Sequence, residues 1–163
     1  MKHTFSKGIG IAAFLMMLLV TTALVPVYAQ KDNGPKKLEG SWNVMVTGLD
    51  CQTGAPINAT TPSILTYNYG GTMEETGSRI APSRRGPGHG VWSHQTARQY
   101  AAAFQFFRFN ADGTLAGRQV VRQQIEVSDP GDEFTSYAIG QVLDAAGNVV
   151  STGCSEGLGT RFN

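Results

Sequence analysis

The chain has 163 residues with a formal net charge of +1; 15% of its residues are charged and 41% are apolar. This length corresponds to one ordinary domain. The near-neutral balance excludes the basic face that nucleic acid requires and the polybasic patch that anionic membranes attract.

The first residues divide into three parts. Lys2, His3 and Lys7 form a short basic region, and Gly8 to Val25 is almost wholly apolar. Pro26-Val27-Tyr28-Ala29 follows, which places Val27 and Ala29 at the −3 and −1 positions of a peptidase site if cleavage falls before Gln30. The apolar run also approaches the minimum of about 18 residues for a membrane anchor, but helix-breaking Pro26 ahead of Val-x-Ala favours cleavage. No cysteine follows the run, so a lipid-modified N-terminus is not expected. The sequence predicts a signal peptide over 1–29, a disordered leader over 30–37 and a domain over 38–163, secreted or periplasmic and free of the membrane once cleaved. Loss of Lys2 and Lys7 leaves 11 basic against 12 acidic residues, a net charge of −1. The remaining lysines, Lys31, Lys36 and Lys37, all lie in the leader.

Cys51 and Cys154 are the two cysteines of the chain. In an exported protein an isolated pair predicts a disulfide. Such a bond would close nearly the whole domain, worth on the order of 4–5 kcal/mol in the chain-entropy model. Both cysteines sit beside glycines in loop-like sequence, and neither has the nearby histidine that a zinc site would need.

No segment beyond residue 38 sustains a helical period with caps. Turn signals recur instead at Gly70-Gly71, Asn110 to Gly113, Asp129 to Asp132 and Asp144 to Asn148, between runs rich in Val, Ile, Phe, Tyr and Thr. The expected strands are 40–48, 62–70, 72–77, 89–95, 98–109, 114–128, 132–143 and 148–153, with a short final piece around Arg161 and Phe162. About eight sequential antiparallel strands predict an all-β, up-and-down barrel or, failing that, a sandwich. Gly77 to Gly88 is the longest irregular stretch expected.

Gly40-Ser41-Trp42 opens the first strand, Gly88-His89-Gly90-Val91-Trp92 lies in the middle, and Gly159-Thr160-Arg161 stands near the end. In these features the chain resembles the calycin-type barrels, and is similar to exported bacterial proteins of lipocalin-like or allene-oxide-cyclase-like type. The resemblance implies a barrel in which Arg161 packs on Trp42, with a cavity that holds a ligand or, in the cyclase-like case, a substrate.

Alternation along strands sorts the polar residues by face. On 72–76 Met73 and Glu75 share one side; on the next strand Gly90, Trp92 and His94 do so. If Met73 and Trp92 point inward, Glu75 and His94 face one interior as a candidate acid–base or ligand-orienting pair. The plainer alternatives are a structural ion pair for Glu75 and a solvated strand end for His94. Trp92, Gln105, Gln119 and Gln123 are the expected ligand-contacting side chains; glutamines facing an apolar cavity orient ligands, or are satisfied by neighbours and water. His89 and His94 differ in parity and make poor partners for one metal. No nucleophile elbow, phosphate loop, zinc-protease helix or dinucleotide fingerprint is present, so no cofactor is implied. Three functions stay open: binding of a small apolar or amphipathic molecule, an isomerase or cyclase using Glu75 and His94, and a structural or interaction module with a filled barrel.

Overall fold

The computed structural model describes residues 38–162; the expected signal peptide and leader lie outside the described residues. Eight strands follow one another: β1 (Gly40–Leu49), β2 (Thr61–Tyr67), β3 (Thr72–Gly77), β4 (Gly88–Thr96), β5 (Gln99–Phe109), β6 (Leu115–Val127), β7 (Glu133–Asp144) and β8 (Val149–Arg161). Each pairs antiparallel with the next, and β8 pairs with β1 to close the barrel. A short 3-10 turn, Pro82–Arg84, interrupts the β3–β4 connection. No helix among the described residues is long and apolar enough to cross a membrane.

The hairpin turns use the residues that the sequence signals. Gly70 and Gly71 both take positive φ between β2 and β3. Asp112 and Asp144 accept hydrogen bonds within the β5–β6 and β7–β8 turns, from Thr114 and Asn148 respectively. These side-chain and backbone bonds hold both carboxyls below the usual carboxylate range. The β4–β5 turn has no such signal: Ala97 adopts a left-handed φ of 47° there.

Period-two alternation then decides which side chains meet in the middle. On β5, Tyr100, Ala102, Phe104 and Phe106 are buried while Gln105 and Phe107 are exposed. The core gathers at the end where β1 begins and β8 finishes. Leu38 and Trp42 are fully buried there, the indole Nε1 donates to the Leu38 carbonyl at 2.9 Å, and Phe134 meets Trp42 edge-on at 4.8 Å. Arg161 seals this end. Its guanidinium lies 4.3 Å from the Trp42 ring centroid and donates to the carbonyls of Glu39 and Gly131 at 2.7–2.9 Å. Gly40 leaves room for it, since a β-carbon at that position would come within 2.9 Å of Arg161 Nη1. Arg161→Ala removes the cation–π contact and these hydrogen bonds, and is expected to destabilise the barrel by about 1–3 kcal/mol. A thermal melt and Trp42 fluorescence check this; no change in either would refute the contact.

The last strand departs from expectation. The sequence predicts a strand over 148–153 and a separate short piece, with Cys154 in a loop. The structure instead carries β8 unbroken to Arg161, with Cys154 inside it opposite Leu49 of β1 and Ile139 of β7. The glycines flanking Cys154, in sequence that reads as a loop, are strand residues. Gly153, Ser155, Gly157 and Gly159 share the inner face, and at Gly159 a β-carbon would strike the Phe134 ring at 2.3 Å. Close packing across the barrel outweighs the poor strand preference of glycine. The Cys51–Cys154 disulfide is formed, with Cα atoms 5.2 Å apart, and fastens the β1–β2 loop to β8.

Candidate functional site

The same small residues open the other end of the barrel. Ser136, Ala138 and Gly140 of β7 lie beside Gly153, Ser155 and Gly157 of β8, so two adjacent strands contribute almost no side-chain volume. The result is a cavity of about 310 Å³. Apolar wall comes from Val44, Val46, Leu65, Phe104, Phe106 and Val121, and the rim includes Ile57, Asn58, Arg79 and Ile80 from the β1–β2 and β3–β4 loops. Its floor carries a hydrogen bond between Gln123 and Tyr67: the amide Nε2 donates to the phenol oxygen at 2.8 Å, and Gln123 is 7% exposed. Burial pushes the Tyr67 phenol well above its ordinary range, with the Gln123 bond opposing, so Tyr67 stays neutral near pH 7.

Glu75 points inward from β3, as alternation predicts, and is 6% exposed. Its partner is Arg85, from the segment after the 3-10 turn. Arg85 Nη2 donates to Oε2 at 2.5 Å and Nη1 to Oε1 at 3.3 Å, while Ser63 Oγ donates to Oε1 at 3.0 Å. The guanidinium also donates to the carbonyls of Gly77 and Gly86 and lies 3.8 Å over the Phe106 ring. Gly77 and Gly88 flank the pair. A β-carbon at either would come within 2.6–2.7 Å of a Glu75 carboxylate oxygen, so both positions are empty to seat the carboxylate. Gly88 is also the residue that pairs with Glu75 across β3 and β4.

That register separates Glu75 from His94. Alternation fixes the face of a residue but not its height along the barrel. Glu75 is level with Gly88, six residues from His94 along β4, or about 20 Å of strand. His94 lies instead at the exposed end of β4, beyond the floor, where Nε2 donates to the Ala97 carbonyl at 2.9 Å and the ring meets Tyr100 at 5.0 Å. Trp92 is half-buried in the closed end; its Nε1 donates to the Asn68 carbonyl at 3.0 Å and it borders Tyr67, so it does not line the cavity. Gln105 faces outward, because the even-numbered residues of β5 are the inner ones, and accepts from Arg118 on the surface. Gln119 and Gln123 do line the cavity.

Arg85 is the site residue that alternation does not reach, since it lies in a loop. The signal for it was the inward glutamate itself: a carboxylate taken out of water needs a cation, and the next loop holds Arg79, Arg84 and Arg85. Chemically, the cavity offers an apolar wall, one internally neutralised ion pair, the amides of Gln119 and Gln123, the hydroxyls of Ser136 and Ser155, and Asn58 and Arg79 at the rim. Both Glu75 oxygens accept hydrogen bonds, Oε1 from Ser63 and Arg85 and Oε2 from Arg85. Among the described residues no cluster of three His, Cys, Asp or Glu side chains is placed to hold a metal. Compared with models of known protein families and with curated proteins, the chain matches neither.

Proposed function

We propose that the chain is an exported, calycin-type binding protein, of lipocalin-like or allene-oxide-cyclase-like kind, that holds a small apolar or amphipathic molecule in the open half of its barrel. One observation carries this reading: the barrel is packed at one end by Trp42, Tyr67 and Phe134, yet keeps a cavity of about 310 Å³ at the other. Ligand sites run from about 300 to 1,000 Å³ and are mostly apolar with a few placed polar groups, which favours a small ligand here. The Glu75–Arg85 pair and the distance to His94 weigh against acid–base turnover, and the cavity weighs against a barrel filled by its own side chains. The Cys51–Cys154 bond supports a secreted or periplasmic location, where disulfides persist.

Native mass spectrometry of the chain, purified without denaturant from the medium or periplasm of its host, tests the proposal. The expected spectrum shows chains carrying one small molecule that is lost on mild activation. A bare mass under those conditions, with no uptake from a lipid extract of the same host, would count against it.

A further inference from the structure

We infer that the cavity selects an uncharged ligand and reads one hydrogen-bonding group on it through the Gln119 amide; the inference rests on the binding function proposed above and names the class of molecule bound. The polar groups inside the cavity sort into those already satisfied by the protein and those left for a guest. Glu75, Arg85 and Ser63 satisfy one another, and Gln123 is committed to Tyr67. Those left include the small inner-face hydroxyls of Ser136 and Ser155 and, reaching farther, the amide of Gln119. Gln119 lies on the inner face of β6, opposite Phe106 on one side and Val142 on the other, half-buried and lining the cavity. Its amide rests beside Gly140, where a β-carbon would stand 3.2 Å from Nε2, and it makes no hydrogen bond with any described residue. An amide offers both donors and an acceptor. Set among Phe106, Val121 and Val142, it suits an alcohol, ketone, ester or amide whose remaining surface is apolar.

Charge explains why that guest is neutral. The interior ion pair sums to zero, so an incoming carboxylate would meet a carboxylate whose cation is already taken, and an incoming amine would meet Arg85. Either would lose hydration with no opposite charge free to replace it. Arg79 at the rim is the cation available to an acid, but it is exposed, its Nη2 donates to the Val46 carbonyl at 3.5 Å, and salt screens it.

Two dyes with one skeleton test this. N-phenyl-1-naphthylamine is neutral with a single N–H, and 8-anilinonaphthalene-1-sulfonate adds a sulfonate to it. Each is titrated at near-physiological salt into the wild-type chain, Gln119→Leu and Val142→Trp; the last fills the mouth, so only binding that it abolishes is scored as cavity binding. The expected cavity Kd for the neutral dye is at least about tenfold lower than for the sulfonate. Gln119→Leu is expected to weaken the neutral dye about three- to tenfold, with little change in Tm because the amide makes no bond in the free protein. Cavity binding of the sulfonate as tight as that of the neutral dye overturns the selection for uncharged ligands while leaving the binding function intact. Unchanged or tighter neutral-dye binding in Gln119→Leu overturns the role of the amide. Failure of both dyes to show cavity binding overturns the binding function itself.

Discussion

Replacing Cys51 and Cys154 together by serine is expected to destabilise the domain by about 4–5 kcal/mol and to lower its Tm by roughly 15 °C. The cysteines are 103 residues apart, so their bond removes a very large loop from the freedom of the unfolded chain. In the folded state the bond adds little new order, because the β1–β8 ladder already sets Cys154 opposite Leu49, two residues before Cys51. The effect therefore belongs mainly to the unfolded state, and the double variant is expected to keep the barrel at low temperature. Thermal melts of the oxidised chain with and without reductant, alongside the Cys51→Ser/Cys154→Ser variant, measure it. A Tm shift below a few degrees would show that unfolded-chain entropy is not what the bond controls.

Arg85→Met is expected to be comparably severe, at about 3–5 kcal/mol, because it strands the Glu75 carboxylate in the barrel with only Ser63 to donate to it. Glu75→Gln leaves the guanidinium without its counter-charge and is expected to destabilise by a smaller amount, since an amide still bonds to Ser63 and to Arg85. The double variant Glu75→Leu/Arg85→Met removes both charges at once and is expected to recover most of the loss. This ordering, read from denaturant melts as a double-mutant cycle, distinguishes a coupled pair from two independent residues. If the single variants are neutral, or their losses simply add, the pair is not what holds the β3–β4 loop against the barrel wall.

Alternation and turn chemistry made most of the barrel legible. Met73 and Glu75 face inward together, and the Gly70-Gly71, Asp112-Gly113 and Gly147 turns fall between their strands. The misreadings share physical causes. Inner-face glycines on β8 look like turns because glycine marks both, and only the bulk of Phe134 across the barrel shows why a strand tolerates them. Trp92 and His94 do share a face, but height along the barrel depends on register, which pairs Glu75 with Gly88. Gln105 carried no sign of its direction, because both faces of β5 are apolar. The cavity was written in the sequence as small residues at every second position, Ser136-Ala138-Gly140 and Gly153-Ser155-Gly157, a pattern that signals missing volume once both runs are placed on neighbouring strands.

Isothermal titration of N-phenyl-1-naphthylamine into the wild-type chain and into Val142→Trp shows directly whether the open half of the barrel receives a small molecule. Val142 lies on the cavity wall near its mouth, half-buried, so a larger ring there obstructs entry with little effect on the packed end. One site per wild-type chain is expected, with loss of binding in the variant at unchanged Tm. Equal affinity in the two proteins would place the dye on the outer surface and contradict a site inside the barrel.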